Sequence, residues 1–169
     1  MLKPVFYYMK IKYYIAPENN NEVNDSMTSV KSISVILPMR NESKNVRRKL
    51  ESIIPEIIDS EIIDLIIANS SSKDDTEKIA SQVLNNSNLS KKRWKIVNFK
   101  IPGKNIALNG ILETINSEII IISDADADVH PGWLETMLKR FEDNELGVIS
   151  GMEIIKNQNQ KFNSYYREN

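Results

Sequence analysis

A chain of 169 residues with a formal charge of -1 and 41% hydrophobic side chains is long enough to bury one continuous core and too short for two full domains. The near-balanced charge argues against nucleic acid as the main partner, because phosphate backbones are held by an excess of Lys and Arg. Cysteine is absent, which removes disulfides, zinc thiolates and thiol nucleophiles, and no apolar run reaches the roughly 18 to 20 residues of a membrane-spanning helix.

In chain order, Val5, Tyr7, Met9, Ile11, Tyr13 and Ile15 fall on alternate positions. That period fits a strand with one buried face, and also a segment resting on a membrane surface. Lys3, Lys10 and Lys12, with no small-residue cleavage site, make the stretch a poor signal peptide. The expected location is cytoplasmic, with peripheral contact at the inner face of the cell membrane as the variant. Residues 17–31 are rich in Asn, Glu, Asp and Ser and predict a flexible linker. The domain division is thus residues 1–31 and residues 32–169.

From residue 32 onward, short β-branched runs alternate with helical patterns. Residues 33–37, 63–68, 95–99, 119–123 and 147–155 are the strand candidates, and several are apolar on both faces, as a parallel sheet covered by helices requires. Val46, Leu50, Ile53 and Ile57 recur at helical spacing, with Pro55 expected to end or kink that helix. Ile79, Val83 and Leu84 follow Asp74, while Ile106, Leu108, Ile111, Leu112 and Ile115 follow Gly103. A last helix is predicted to open at Pro131 and to run through Trp133, Leu134, Met137, Leu138 and Phe141. Residues 85–93 read as a surface loop whose basic run is a solvated face. Repeated β-α units predict a doubly wound α/β fold with helices on both faces of a mostly parallel sheet.

Open parallel sheets bind ligands outside the carboxyl ends of their strands, and the unusual polar clusters fall there. Pro38 to Glu42 follow the first strand, Asn69 to Asp74 the second, Pro102 to Asn105 the third, and Asp124 to Asp128 the fourth. Singly, each has a local explanation: Ser72 or Asp74 caps a helix, Gly103 turns the chain, Asn41 with Glu42 starts a helix. Their shared edge makes a site.

Asp124 and Asp126 close the apolar run at 119–122. Two carboxylates so near each other repel unless a proton or cation intervenes. Magnesium takes one or two protein carboxylates and completes its shell with phosphates and water, so an acidic pair beside a phosphate pocket suffices, and manganese serves equally. Such a cation would neutralise charge on a departing diphosphate. Asp124, Asp126, Asp128 and Glu135 also match the spacing of an EF-hand loop, but Val129 stands where the turn needs Gly.

SVILPMRNESKNVRRKLESI, LIIANSSSKDDTEKIA, GKNIALNGILETINSEIIIISDADADVHPGWLETM and GVISG resemble, in order and spacing, the successive motifs of the inverting GT-A glycosyltransferase family two, which includes cellulose-synthase-like and dolichyl-phosphate-mannose-synthase-like enzymes. The resemblance covers about residues 32–155. It implies that Pro38, Arg40 and Glu42 line a nucleotide pocket, that Asn69 lies against the base, and that Lys104 neighbours the diphosphate or sugar. It also makes Asp124 and Asp126 the family's D-x-D motif, with Asp126 the direct ligand of Mn2+ or Mg2+. The implied activity is metal-dependent transfer of a sugar from a nucleoside-diphosphate sugar to a hydroxyl acceptor, lipid-linked or saccharide, with inversion.

Two departures qualify this. Family members usually carry an Asp pair where Asn69 and Ser70 stand, which removes charge assistance from any bond to the base. No residue after Asp128 supplies the base that inversion needs; Glu153 falls in a predicted strand and His130 in a loop before Pro131. The competing reading is a non-catalytic nucleotide-sugar-binding or partner-binding module. Under either reading the open sheet edge suits a homo- or hetero-oligomer that covers it. A nucleotidyltransferase would require a Gly-rich loop after the first strand, where this chain has Pro38-Met39-Arg40.

Overall fold

A computed structural model of the chain describes residues 30–141 and 147–151. The expected N-terminal strand at residues 5–15 and most of the expected linker lie outside the described residues. Val30 and Lys31, the end of that linker by composition, are attached to the domain. Val30 packs against the core, and the Lys31 amide donates to Glu118 Oε2 at 3.0 Å.

Four strands, β1 (Ile33–Met39), β2 (Ile63–Ser70), β3 (Trp94–Phe99) and β4 (Ile119–Ile122), form one parallel sheet in the order β3-β2-β1-β4. The helices are α1 (Val46–Ile57), α2 (Thr76–Asn86), α3 (Lys104–Leu112) and α4 (Trp133–Arg140), with a 3₁₀ turn at Lys91–Arg93. The predicted doubly wound α/β arrangement is present. Alternation along β1 sorts the two faces: Ile33, Val35, Leu37 and Met39 join the core that holds Leu50, Ile53, Leu84 and Trp133, while Ile36 faces Ala107, Leu108 and Ile111 of α3. Each such side chain, fully buried, contributes roughly 1.5–3 kcal/mol.

β1 runs two residues beyond its predicted end, through Pro38, although a proline within a central strand normally removes a ladder bond. Register explains it. The carbonyls of Ser32 and Ile36 accept from the β4 side, so position 38 also faces β4, which has already ended at Ile122. The missing N–H at Pro38 is not needed.

Three expectations are corrected. Of the two outcomes expected at Pro55, an end or a kink, the end is not found: α1 continues to Ile57, whose side chain is wholly buried in the core. α4 begins at Trp133 rather than Pro131, because Gly132 takes a left-handed φ of 77° that no helical residue shares. The Gly132 amide donates to the Glu56 carboxylate at 2.9 and 3.1 Å, so the last turn of α1 fixes the start of α4. Residues 85–93 are not all loop or solvated: α2 extends to Asn86, and Arg93 folds against Asp64, with Nε 3.6 Å from Oδ1.

The described residues 147–151 form no strand, and residues 152–155 of that predicted strand lie outside the described set. Val148 to Gly151 belong to a compact unit separate from residues 22–147. No helix among the described residues is long and apolar enough to cross a membrane.

Candidate functional site

The winding of the sheet reverses at β1: β2 lies on one side of it and β4 on the other. In open parallel sheets this topological switch opens a crevice at the carboxyl edge. The loops after β1 and β2 leave that edge through two left-handed non-glycine residues, Asn41 at φ 55° and Ser71 at φ 56°. Four bonds knit the loops together. The Asn41 amide donates to Ser72 Oγ at 3.0 Å, the Lys73 amide to Asn41 Oδ1 at 2.8 Å, the Glu42 amide to Thr76 Oγ1 at 2.7 Å, and the Ser43 amide to Asp74 Oδ2 at 3.1 Å.

Asp74 therefore serves both loops. Desolvation pushes its carboxyl up, but hydrogen bonds from Thr76 and Ser43 prevail and hold it at about 2, below its ordinary 3.8. Held by this seam, Arg40 is exposed at the rim, and the Glu42 carboxylate accepts from Asn45 Nδ2 at 2.8 Å at the entry to α1. Pro38 is buried within β1, two residues before the rim.

Asn69 pairs with Met39 in register and is 4% exposed. Its Nδ2 donates to Asn98 Oδ1 at 2.7 Å, and Asn98 Nδ2 donates onward to Glu77 Oε1 at 2.7 Å. A carboxylate at position 69 would make Asn98 turn its amide and lose the bond to Glu77. Asn98 thus gives a local reason for an amide at this position. Ser70 is equally committed: its Oγ accepts from the Gly103 amide at 2.7 Å and fixes the start of α3. Gly103 stands there at φ 153°, a conformation that L side chains rarely adopt.

The acidic loop closes the crevice from the β4 side. The Ser123 amide donates to the Ile36 carbonyl at 3.1 Å, which pins the loop's first residue to β1. Lys104 Nζ, from the first turn of α3, contacts Asp124 Oδ1. Asp128 accepts from Arg48 Nη1 at 2.8 Å. Asp126 is exposed, and its carboxylate makes no hydrogen bond or salt bridge among the described residues. The structure thus brings Lys104 to Asp124 and sets both on the edge that carries Arg40 and Asn69.

Beneath the loop lies Lys49, which is 0% exposed. Its Nζ donates to Ser123 Oγ at 2.7 Å and to the Ala127 carbonyl at 2.6 Å. Burial pushes the ammonium down from its ordinary 10.5 to about 8, against the pull of Asp128, Asp124 and Asp126. Sequence reasoning missed Lys49, Arg48, Thr76 and Asn98. For Lys49 a signal existed: it stands three residues after Val46 and four before Ile53, on the apolar stripe of α1.

No group of three or more His, Asp or Glu side chains converges among the described residues. Glu135 pairs with Lys139 at 2.8 Å and Asp128 with Arg48, so the EF-hand spacing produces no calcium cage. What remains fits a cation that keeps open positions for phosphate and water, with Asp126 facing solvent and Asp124 beside it. His130 is exposed, and its carbonyl accepts the Trp133 amide at 3.1 Å. A cavity of about 300 Å³ lies at the opposite, amino-terminal edge of the sheet, lined in part by Ser34, Asp64, Arg93 and Ser117. It shares no residue with the rim.

Residues 34–168 match the family model described as glycosyl transferase family 2. The glycosyltransferase YibD of Escherichia coli (strain K12) is 26% identical over 122 residues, covering 72% of this chain and 34% of YibD. The mannosyltransferase PcManGT from Pyrobaculum calidifontis, solved in complex with GDP-Man and Mn2+, superposes with a TM-score of 0.59 at 25% identity, over 72% of this chain and 34% of that one. Glucosyl-3-phosphoglycerate synthase from Mycobacterium tuberculosis, in complex with Mn2+, UDP and glucosyl-3-phosphoglycerate, gives a TM-score of 0.56 at 21% identity, over 78% of this chain and 47% of that one, a likeness of fold. The chain spans about a third of the length of the curated relative it matches. It belongs to glycosyl transferase family 2, and its sheet and helices are those of the GT-A fold.

Proposed function

We propose that this member of glycosyl transferase family 2 binds a nucleoside-diphosphate sugar along the carboxyl edge of its sheet and serves its transfer to a hydroxyl acceptor with inversion. The observation that carries the proposal is the meeting of Lys104 with Asp124 at the topological switch, beside an uncommitted Asp126. Binding of GDP-Man and Mn2+ by a mannosyltransferase of the same fold supports it.

On this reading the nucleotide lies over Asn69, between the loop that carries Arg40 and Glu42 and the start of α3. Asp126, with Asp124, holds a divalent ion, Mn2+ or Mg2+. That ion supplies Lewis-acid stabilisation of the departing diphosphate. Lys104 would lie against the same phosphates, donating from an ammonium that Asp124 orients. On this reading Lys104, Asp124 and Asp126 serve donor binding and leaving-group stabilisation.

A donor-binding module without transfer is the second reading, favoured by the commitment of Asn69 and Ser70 to internal bonds. Sugar transfer or donor hydrolysis by the isolated protein would decide against it. The test of the first reading is calorimetry with UDP- and GDP-sugars, with and without Mn2+. Binding is expected to strengthen with Mn2+ in the wild type and to lose that dependence in Asp126→Ala. No binding of any donor, or the same Mn2+ dependence in the variant, removes the proposal.

A further inference from the structure

Among the described residues, Lys49 is the one buried charged group that the donor reading leaves without a task. Its ammonium reaches across from α1 to Ser123, the residue before Asp124, and to Ala127, the residue after Asp126. Both acceptors are neutral, so its hydrogen bonds fix the loop while its charge remains to act on the carboxylates around it. Asp124 and Asp128 have cations of their own in Lys104 and Arg48. Asp126 has none within salt-bridge distance among the described residues, and Lys49, beneath the loop, still acts on it electrostatically. A buried cation survives only where nearby negative charge offsets its desolvation.

We propose that Lys49 is a built-in counter-cation of the acidic loop, which holds residues 124–128 in place before a divalent ion arrives and lowers the affinity for that ion. The inference rests on the metal reading of Asp124 and Asp126. The two effects on affinity oppose each other: loss of the hydrogen bonds would loosen the loop, and loss of the charge would leave the aspartates more attractive to a divalent ion. The charge outweighs the hydrogen bonds, because bonds to two neutral acceptors are modest in net worth, whereas a divalent ion feels a fixed positive charge twice as strongly as a monovalent ion does. Lys49 is a positioning residue; nothing places it against substrate.

The test is Mn2+ binding to the full chain, read from the paramagnetic resonance of free Mn2+, in the wild type, Lys49→Gln, Lys49→Arg and Asp126→Ala. Gln keeps a donor and loses the charge; Arg keeps the charge. Lys49→Gln is expected to bind Mn2+ on the order of tenfold more tightly than the wild type, with Lys49→Arg close to the wild type. A merely structural lesion would weaken binding instead. Equal or weaker binding by Lys49→Gln overturns the proposal. If Lys49→Gln is unfolded without metal, recovery of the native circular dichroism on adding Mn2+ supports the counter-cation, and failure to recover overturns it. Wild-type binding that is lost in Asp126→Ala but unchanged in Lys49→Gln leaves the metal reading standing and removes the role of Lys49. Absence of Mn2+ binding in both the wild type and Lys49→Gln removes both.

Discussion

Thr76→Val tests whether the seam between the first two loops is a structural unit. The Thr76 side chain is wholly buried, and its hydroxyl accepts from the Glu42 amide at 2.7 Å while donating to Asp74 Oδ1 at 2.5 Å. Valine keeps the shape and deletes both bonds, leaving a partly buried amide without an acceptor. Leaving such a group unsatisfied costs about 1–3 kcal/mol, so a loss near 2 kcal/mol is expected, or a drop in Tm of roughly 8 °C at about 4 °C per kcal/mol. Urea unfolding should show a lower midpoint with an unchanged slope. Thr76→Ser keeps the hydroxyl and gives up only a methyl, worth about 0.8 kcal/mol, and should lose less than half as much. A Thr76→Val loss below about 0.5 kcal/mol, within the range of an ordinary surface substitution, or a serine variant as impaired as the valine one, would refute the argument.

Two further outcomes follow from the same geometry. Asp74 is held at about 2 against an ordinary 3.8, so its contribution is present above the unfolded value and is lost as pH falls through the folded one. Asp74→Asn should therefore flatten the acid limb of the stability profile between those values, and an unchanged limb would show that other carboxylates govern it. Gly110 faces Phe99 so closely that a Cβ there would lie 2.4 Å from Cε1 of the ring. Gly110→Ala should cost about 1–3 kcal/mol in overpacking, partly offset by about 1 kcal/mol of helix propensity. In a Phe99→Leu background the same substitution should be neutral or stabilising; thermal melts of the four proteins give the comparison.

Elements whose residues are in contact with the core could be read from the sequence, because burial imposes a period. Ile33 to Leu37, Ile63 to Ala68 and the stripe of Val46, Leu50, Ile53 and Ile57 appear as predicted. Boundaries set by single polar contacts were not legible. Glu56 reaches forward 76 residues to fix the start of α4, and no local rule announces that. The candidate site divides in the same way. Its acidic residues stand out because paired carboxylates are chemically unusual, whereas the residues that hold them are ordinary in type and distant in sequence: Lys49 lies 74 residues from Ser123, and Asn98 lies 29 from Asn69. A lysine on an apolar stripe was the one clue that periodicity offered.

Charge balance at the rim bears on what it can accept. Arg48, Lys49 and Lys104 stand with Asp124, Asp126 and Asp128, so the three carboxylates of the acidic loop are matched by the three cations that act on them. A bare divalent ion would bring two uncompensated positive charges to a set already neutral, and a bare diphosphate would bring two or three negative ones. An ion and a diphosphate arriving together add almost nothing, so the long-range cost of binding them as a pair is smaller than that of either alone. Mn2+ and a nucleoside diphosphate should therefore bind with mutual strengthening, each raising the affinity for the other by the same factor as linkage requires. Lys49→Gln, which shifts the balance by one negative charge, should strengthen binding of the ion and weaken that of the diphosphate while leaving the factor, set by the attraction between the two ligands, close to the wild-type one. Titrating each ligand at several concentrations of the other measures it, and independent binding in the wild type would show that the ion and the diphosphate do not meet at this rim.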